Sequence, residues 1–383
     1  MTQQTQTKQI PKGWKIERLG QIAKWGSGGT PLSSKPEYYG GDIKWAIIGD
    51  LNEGLLFDTQ KKITREGLEN SSAKVIPKDT LLVGMYGSIG KTAITGCEMA
   101  TNQAIAFAVP KENEVILKFL KYFINLNVST LFKLSKGDTQ KNISQEVLKQ
   151  VEILLPSLSE QSLIVSAIET QFTRLDEAVK SLKDVRKKLE VYRKAVLKKA
   201  FEKKEGWIVS NIKNKVKVKY GKGLPERERK EGEVPVYASA GKVGIHNKYL
   251  INFPTIIIAR KGSIGNNFIV KEPCWPIDTV YYLEDIKLNL DYLFYYLNFS
   301  IFKDTSTAVP SLRREDLEMI QINYPESEKD QKKIVSEIES RFSVIDKIGK
   351  VVDKSLEKAD KLRKSILKSA FEGKLVKIDE VDR

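Results

Sequence analysis

The stretch NISQEVLKQVEILLP, residues 142–156, has a second version in the same chain, SLRREDLEMIQINYP, residues 311–325. Each version ends at a proline and leads into a long charged segment, residues 161–204 in the first case and 331–374 in the second. The two charged segments start 170 residues apart. This pairing indicates that the chain contains one unit twice.

The repetition extends along most of the chain. The corresponding stretches are Gly13-Trp14 and Gly206-Trp207, WGSGGTP (25–31) and YGKGLP (220–225), VGMYGSIGKTAIT (83–95) and IARKGSIGNNFIV (258–270), and LKFLKYFIN (117–125) and LDYLFYYLN (290–298). A repeat of this length is far too long for a solenoid, whose repeats contain roughly 20 to 50 residues. The pattern is that of a duplicated domain, each copy followed by its own helix.

Within each copy, short apolar or β-branched runs lie between clusters of Gly, Pro, Asn and Asp, which indicates strands and turns. Examples are IKWAII (43–48), TLLVGM (80–85) and PTIIIA (254–259). The apolar stretches at 117–125 and 290–298 suit a short buried helix. We therefore predict the α+β class, with two α/β domains separated by two long helices.

Apolar residues in the charged segments recur at steps of three and four, which is the heptad pattern of a coiled coil. The predicted seam consists of Ile168, Phe172, Leu175, Val179, Leu182, Leu189 and Val196 in the first helix and Ile338, Phe342, Ile345, Val352, Leu356 and Ile366 in the second. Because the register is the same in both copies, the helices are predicted to pair lengthwise.

Four residues interrupt this seam: Gly349, Arg186, and the matched pair Arg193 and Arg363. One interpretation is that they fix the register or bind a third partner. The alternative is that the arginines lie at the edge of the seam and extend their charged ends into water.

Connectivity predicts the direction of the pairing. Few residues separate Phe201 from Trp207, so the second domain begins where the first helix ends, and the second helix must run back to pack along the first. We expect an antiparallel coiled coil with one domain near each end, related by a pseudo-twofold axis. About 43 residues at about 1.5 Å each give roughly 65 Å, which is close to two turns of B-DNA at roughly 34 Å per turn.

The composition indicates a folded, basic protein. The chain has 383 residues, of which 41% are hydrophobic and 30% charged, and its net charge of +15 favours a polyanionic partner such as DNA, RNA or an anionic membrane. No apolar run approaches the roughly 20 residues of a membrane span, and the start MTQQTQTKQ is unlike a signal peptide, so we expect a cytoplasmic protein without a membrane partner. Cys97, Cys274 and His246 are too few for an all-Cys/His zinc site, and we expect no metal.

MYGSIGKT, residues 85–92, nearly spells the phosphate-binding loop of a nucleotide hydrolase. That loop requires a glycine five places before the glycine of Gly-Lys-Ser/Thr, yet Met85 stands five places before Gly90. In the second copy, asparagines replace Lys91 and Thr92. We therefore interpret the shared GSIG as a tight turn whose glycines accept positive φ, which disfavours a nucleotide hydrolase.

The chain resembles the DNA-specificity subunit of type I restriction-modification systems. The resemblance is carried by the two-domain, two-helix duplication and by the phrases GSGGTP, GSIG and GDTQKNISQEVLKQVEILLPSLSEQSLIVSAIE, and it covers nearly all of residues 10–375. It implies two target recognition domains and two spacer helices. The expected boundaries are residues 1–156 for the first recognition domain, 157–204 for the first helix, 205–324 for the second recognition domain, and 325–383 for the second helix and tail.

The resemblance further implies that each domain reads one half of a bipartite, asymmetric site in double-stranded DNA, while the helices set the spacer and dock modification subunits. Catalysis would belong to partners: modification subunits that methylate adenine with S-adenosylmethionine, and a restriction subunit that uses ATP and Mg. The chain itself is then expected to bind no cofactor and to be no enzyme. In agreement, it lacks the Asn/Asp-Pro-Pro-Tyr/Phe methylation motif, which NYPE at 323–326 resembles only loosely.

Candidate DNA contacts follow from the chemistry of recognition. Phosphates are bound by Lys, Arg, Ser, Thr and backbone amides, whereas base edges pair with Arg or Lys at guanine and with Asn or Gln at adenine. The candidates are Lys35, Ser88, Lys91, Thr139, Gln140, Lys141 and Asn142 in the first domain, and Lys222, Arg227, Arg229, Arg260, Lys261, Ser263, Arg313 and Arg314 in the second. Each of them could instead be a solvated surface residue.

A coiled-coil scaffold, or a DNA-binding protein without sequence specificity, is the alternative function. Such a protein would bind random duplexes with equal affinity and a purely salt-dependent signal. The basic run at 180–204 suits either the solvent-facing side of a coiled coil or a docking face for modification subunits.

Overall fold

The computed structural model describes residues 10–135, 141–262, 264, 266–301 and 311–376. The chain divides into two compact units. Unit 1 comprises Met1–Lys180 and Leu356–Arg383, and unit 2 comprises Ser181–Ser355. The two long helices each contribute one part to unit 1 and the other part to unit 2.

The described part of unit 1 contains eleven strands and five short α-helices. The strands are β1 (Lys15–Arg18), β2 (Ala23–Ser27), β3 (Tyr39–Ala46), β4 (Leu55–Leu56), β5 (Lys61–Ile63), β6 (Val75–Ile76), β7 (Leu81–Gly84), β8 (Thr92–Thr95), β9 (Met99–Thr101), β10 (Ile105–Pro110) and β11 (Glu152–Leu155). The helices are α1 (Leu19–Ile22), α2 (Arg65–Glu69), α3 (Leu117–Leu126), α4 (Val128–Leu134) and α5 (Gln145–Gln150), with 3-10 turns at Pro36–Tyr38 and Ile48–Asp50. The long helix α6 (Leu158–Ala200) follows.

The main sheet of unit 1 has the strand order β2-β10-β7-β8-β4, in which the edge strand β4 runs parallel to β8 and the other pairs are antiparallel. A second sheet has the order β5-β3-β9-β6, with β3 and β9 parallel. The pair β1 and β11 joins the start of the unit to the strand that precedes α6.

The described part of unit 2 contains nine strands. They are β12 (Ile208–Asn211), β13 (Lys217–Tyr220), β14 (Val234–Ala238), β15 (Gly241–His246), β16 (Thr255–Ala259), β17 (Asn267–Val270), β18 (Trp275–Pro276), β19 (Val280–Glu284) and β20 (Gln321–Tyr324). The helices are α7 (Leu290–Ile301), α8 (Arg314–Met319) and the long α9 (Glu328–Phe371), with 3-10 turns at Ile212–Asn214 and Glu226–Glu228.

The topology of unit 2 repeats that of unit 1. The sheet β13-β19-β16-β17 has the order and antiparallel pairing of β2-β10-β7-β8, and β15-β14-β18 contains one parallel pair, as does the second sheet of unit 1. The pair β12 and β20 corresponds to β1 and β11. The predicted α+β class and internal duplication are therefore confirmed.

The short helices predicted at 117–125 and 290–298 are present as α3 and α7, and each lies in the core of its unit. Phe371, at the end of α9, packs on Phe119 of α3 with ring centroids 4.7 Å apart. Phe201, just after α6, packs on Tyr296 of α7 at 5.0 Å. The ends of the long helices are thus anchored by aromatic contacts of the same kind in both units.

A buried glutamine near the start of each long helix connects three elements. The Gln161 side chain accepts a hydrogen bond from the Ile116 amide, before α3, at 2.8 Å and donates to the Pro156 carbonyl at 3.1 Å. In unit 2, Gln331 accepts from the Asn289 amide at 2.8 Å and donates to the carbonyl of Pro325 at 3.0 Å. Each glutamine satisfies backbone groups that burial would otherwise leave unpaired.

The two long helices run antiparallel within unit 2. Arg186 of α6 pairs with Asp353 of α9 at 3.2 Å, and one heptad further along α6, Arg193 pairs with Asp346. Progress towards the end of α6 therefore corresponds to progress towards the start of α9, as the connectivity predicted. Every residue of the predicted seam is buried or half-buried, whereas the seam-interrupting Arg186 is exposed.

The other two seam arginines each contact the opposite helix. Arg193 lies over the ring of Phe342, 4.2 Å from its centroid, besides pairing with Asp346. In unit 1, Arg363 lies 4.3 Å from the Phe172 ring centroid and pairs with Asp176. These contacts support a role in fixing the register, since each arginine recognises a phenylalanine and an aspartate one turn apart.

One predicted strand ends earlier than its sequence suggests. The run IKWAII was expected to be extended through residue 48, but β3 ends at Ala46. The Asp50 carboxylate accepts a hydrogen bond from the Ile47 amide at 2.9 Å and from the Gln60 amide at 3.1 Å. The Asp50 carboxylate thus accepts the backbone hydrogen bond that a neighbouring strand would otherwise accept, and the chain forms a 3-10 turn instead of continuing β3.

Candidate nucleic-acid interface

The GSIG stretch of unit 1 forms the tight turn that joins β7 to β8. Gly87 and Gly90 have φ values of 66° and 79°, and the Gly84 amide donates to the Lys91 carbonyl at 2.8 Å. A Cβ on Gly90 would lie 2.8 Å from the Val128 side chain. Because this turn connects two antiparallel strands and leads into no helix, it lacks the helix N-terminus on which a phosphate-binding loop depends.

The turn of unit 1 is joined to the segment that precedes α5. Tyr86 forms an antiparallel bridge with Asn142, and the Ile143 amide donates to the Met85 carbonyl at 3.1 Å. Ser144 then caps α5 by accepting the Val147 amide hydrogen at 3.3 Å. The structure thereby brings together four predicted contact residues, namely Ser88, Lys91, Lys141 and Asn142.

The same junction recurs in unit 2. Lys261 forms an antiparallel bridge with Ser311, and the Leu312 amide donates to the Arg260 carbonyl at 2.9 Å. Lys222 lies two residues after the end of β13, and its amide donates to the carbonyl of Pro276 in β18 at 3.0 Å. We call the β7–β8 or β16–β17 turn, together with the segment bridged to it, the turn junction of each unit.

Arg260 lies in the turn junction of unit 2 among aromatic rings. Its guanidinium is 5.1 Å from the ring centroid of Tyr220 and 5.5 Å from that of Tyr281. Its Nη1 donates to the Asp278 carbonyl at 2.9 Å, while its buried Nε has no hydrogen-bond partner among the described residues. The Tyr281 hydroxyl donates to the Leu312 carbonyl at 3.0 Å, and burial raises the pKa of Tyr281.

The other candidate arginines of unit 2 have different partners. Arg313 makes two hydrogen bonds to Asp316 at 2.8 and 2.9 Å, and these bonds lower the pKa of the carboxyl. Arg314 donates to Glu318 at 2.6 Å. Arg229 donates to the carbonyls of Leu224 and Val243, and Arg227 is exposed with its Nε 3.9 Å from Glu228.

Of the four remaining candidates, one lies apart from the turn junctions and three lie outside the described residues. Lys35 precedes a 3-10 turn and pairs with Glu37 at 3.2 Å. The hydrogen bond to Glu37 raises the pKa of Lys35. No contact among the described residues links it to the turn of unit 1. Thr139, Gln140 and Ser263 lie outside the described residues.

Each unit also has a groove beside the two long helices. It is about 1010 Å³ in unit 1, where the GSIG turn, α3 and α4 complete it, and about 640 Å³ in unit 2, where α7 completes it. In unit 1, Thr92 donates to the Asn125 side chain at 2.8 Å, and in unit 2 Asn267 donates to Asn298 at 3.0 Å. The matched lining residues are Asn125 and Asn298, Phe172 and Phe342, Arg363 and Arg193, and Leu367 and Leu197. The sequence signal was present, since both apolar helix repeats end in asparagine, but its meaning required the fold.

Two chemical observations complete the site. Both cysteines are free, and no group of three or more His, Cys, Asp or Glu side chains in the described ranges is placed to hold a metal ion. Within the same ranges, none of the helices combines the length and apolar character needed to cross a bilayer.

Comparison with known proteins identifies the family. The profile of the family described as "Type I restriction modification DNA specificity domain" matches residues 11–191 and 204–352, which is most of the chain. The chain belongs to this family. The resemblance inferred from the duplicated phrases is therefore confirmed.

Several members of the specificity-domain family are similar to this chain. The MjaIX specificity subunit of Methanocaldococcus jannaschii is 28% identical over 246 residues, 59% of this chain but only 56% of that protein. The chain thus spans little more than half of this relative. The MjaVIII specificity subunit of the same organism is 24% identical over 96% of this chain and 94% of its own length.

A solved structure supports the fold. A chain from a study of complex assembly and conformational transition of the type I restriction-modification system aligns with a TM-score of 0.80 over 95% of this chain and 99% of its own length. Its sequence is 16% identical, so the agreement concerns the fold alone.

Proposed function

We propose that this chain is the DNA-specificity subunit of a type I restriction-modification complex, in which each unit reads one half of a bipartite, asymmetric target. The observation that carries the proposal is the turn junction, which recurs in both units with different side chains on it. Lys91 and Asn142 occupy it in unit 1, whereas Arg260 and Lys261 occupy it in unit 2. Two identical readers would suit a palindrome, so two different readers suit two different half-sites.

The proposal assigns the predicted contact residues to DNA. The net charge of +15 supplies the sequence-independent attraction to the phosphate backbone. Side chains at the turn junctions then read base edges, and lysines around them contact phosphates. In this proposal the recognition domains keep the boundaries expected from the sequence, residues 1–156 and 205–324.

The long helices have two proposed roles: they set the length of the spacer between the half-sites, and they dock modification subunits. The ion pairs of Arg186 and Arg193 support the first role, because they hold α6 and α9 in one register. The modification subunits would methylate adenine with S-adenosylmethionine, and a restriction subunit would use ATP and Mg. The chain itself is proposed to be non-catalytic and cytoplasmic.

The division of labour can be tested by methylation assays. The chain is incubated with duplex DNA and labelled S-adenosylmethionine, with and without its modification subunit, and duplexes with one scrambled half-site serve as controls. We expect sequence-specific methylation with the partner and none without it. Methyl transfer by the chain alone would contradict the proposal, and equal affinity for every duplex would favour a non-specific DNA-binding protein or scaffold.

The spacer role can be tested by lengthening both helices. Since Arg186 faces Asp353 and Arg193 faces Asp346, Leu189 lies level with Gly349, and one heptad inserted after each residue keeps the seam aligned. Seven residues add about 10.5 Å, so the preferred spacer should grow by about three base pairs at about 3.4 Å each. Methylation with the original spacer by a folded variant would exclude the helices as the determinant of spacing.

A further inference from the structure

Arg260 differs from its neighbours in the kind of contacts it makes. The charges of Arg313 and Arg314 are bound to carboxylates at 2.8 and 2.6 Å, and such pairs leave little of the guanidinium charge for a polyanion. Arg260 instead contacts the rings of Tyr220 and Tyr281 and one carbonyl. Ring and carbonyl contacts restrict the orientation of a guanidinium and leave its positive charge uncompensated.

The Arg260 guanidinium is held in place from two sides. The Tyr220 and Tyr281 rings contact it at 5.1 and 5.5 Å, and the Asp278 carbonyl accepts a hydrogen bond from Nη1. Nη1 carries a second hydrogen and Nη2 carries two, so the terminal nitrogens retain two donors for a bidentate contact even when one hydrogen is shared with the Tyr281 hydroxyl. The arrangement preorganises an arginine fork at the surface of the turn junction.

The buried Nε of Arg260 is a second, independent observation. It has no hydrogen-bond partner among the described residues, and a buried unpaired donor costs roughly 1–3 kcal/mol. A side chain whose role was only to stabilise the fold would be expected to pair this donor. An unpaired buried donor in a native protein needs an explanation, and a role in binding would provide one for Arg260.

The geometry points to Arg260 as the residue that reads a guanine in the half-site recognised by unit 2, with Tyr220 as the residue that positions it. An oriented arginine fork matches the O6 and N7 acceptors of guanine in the major groove. A guanidinium fork can also bind a phosphate, but a phosphate contact would weaken binding to all sequences equally, whereas a guanine contact changes the preference at one position. The inference rests on the proposed function, since it assigns a base to one of the two readers.

Unit 1 provides an internal contrast. Met85 stands at the position that corresponds to Arg260, and its side chain is buried. Trp25 stands where unit 2 has Tyr220, and its indole Nε1 donates to the Leu19 carbonyl at 2.9 Å. The guanine contact therefore belongs to unit 2, and its loss should leave the other half-site unchanged.

The test uses the complex of the full chain with its modification subunit and selects binding sites from randomised duplexes. Arg260→Ala should reduce discrimination at a single guanine by roughly 5- to 150-fold, which is the range of one bidentate base contact. Arg260→Lys keeps the charge but lacks the fork, so it should lose the same preference while retaining most non-specific affinity. Both variants should select the unit 1 half-site normally.

Tyr220 provides variants that leave the arginine in place. Because the Tyr220 side chain is 48% exposed, its replacement is compatible with folding. Tyr220→Phe keeps the ring and should select the same site, whereas Tyr220→Leu should weaken the guanine preference by roughly 2- to 5-fold through loss of the cation–π contact. Arg227→Ala, which removes an exposed arginine of the same unit, is the matched control and should leave base preferences unchanged.

The outcomes separate this inference from the function on which it rests. If the unmodified complex selects no sequence in either half, the proposed function and the inference both fail. If it selects a bipartite site, and Arg260→Lys and Tyr220→Leu select that site with the same preference at every position, only the Arg260 assignment fails. Equal weakening on all sequences would make Arg260 a phosphate contact and would also overturn the assignment.

Discussion

Units 1 and 2 share residues that build the fold and differ in the side chains at the turn junction. Gln161 and Gln331 share two corresponding backbone contacts, and Arg363 and Arg193 make the same contacts with phenylalanine and aspartate. Met85, in contrast, becomes Arg260 in unit 2. The comparison teaches that duplication preserved the framework, while the side chains at the turn junction diverged.

The largest change in stability should come from alkaline pH, because it ionises buried groups of both units. Burial raises the pKa of Tyr122 in unit 1 from 10 to about 12 and that of Cys274 in unit 2 from 9 to about 12. Both groups are neutral in the folded protein and ionise first in the unfolded chain. Their stabilisation is therefore complete below pH 9 and is lost as the pH rises to 12.

The pH effect can be assigned to one unit with a substitution. Melting temperatures measured from pH 8 to 12 should begin to fall near pH 9 in the unmodified protein. Cys274→Ala removes the thiol, so the additional fall between pH 9 and 10 should disappear, whereas the fall above pH 10 should remain. An unchanged pH profile would show that the Cys274 thiol is not protected by burial in unit 2.

The second effect concerns the buried glutamines. Gln161 also donates to the Glu114 carbonyl at 3.1 Å, so among the described residues it satisfies three backbone groups, whereas Gln331 satisfies two. At roughly 1 kcal/mol or more for each group left unpaired, Gln161→Ala should destabilise by about 3 kcal/mol and Gln331→Ala by about 2 kcal/mol. Urea unfolding measures both, with the exposed Ser162→Ala as control. Equal losses would mean that the third bond contributes nothing.

The third effect concerns the seam arginines. Arg193→Ala and Arg363→Ala each remove a ring contact and an ion pair, and we expect each to destabilise by about 1 kcal/mol. Arg186→Ala removes an exposed ion pair without a ring, so it should destabilise by less than about 0.5 kcal/mol. Thermal unfolding of the three variants measures the difference. If Arg186→Ala proved as destabilising as Arg193→Ala and Arg363→Ala, the contacts with the phenylalanine rings would contribute nothing to stability.

The smallest effect should be a gain in stability. Gly349 lies within α9, where unit 1 has Val179 at the corresponding position of α6, and a Cβ on Gly349 would meet no atom within 4 Å. Gly349→Ala should stabilise by about 0.5 to 1 kcal/mol, because alanine has the higher helix propensity. Urea unfolding of this variant, with Ser343→Ala as control, checks the expectation. A loss of stability would show that this position requires glycine.

Periodicity and repetition predicted the class, the duplication, the buried helices α3 and α7, and the direction of the helix pair. These features leave local or self-matching signals in the sequence. The contacts of Gln161 and Arg260 could not be predicted, because each depends on backbone groups far away in the chain that only the folded sheet brings near. The parallel pair β3 and β9 was missed for the same reason, since nothing local in either strand specifies a partner.

The predicted contact residues illustrate the same limit. Local loop chemistry placed Ser88, Lys91 and Asn142 in one candidate set, and the fold does bring their segments together. Local loop chemistry could not show that Arg313 binds Asp316 or that Arg229 binds backbone carbonyls. Side-chain partners depend on tertiary packing, so assignment to DNA remains a prediction for every candidate.

The most direct test is to exchange the recognition domain of unit 2. Replacing residues 206–324 by the corresponding segment of a related specificity subunit moves the paired strands β12 and β20 together and leaves both long helices intact. Methylome sequencing of cells that express the chimera with its modification subunit reads the target. The account predicts that one half of the target changes to that of the donor, while the other half and the spacer stay the same. A change in both halves, or in neither, would contradict the claim that each unit reads its own half-site.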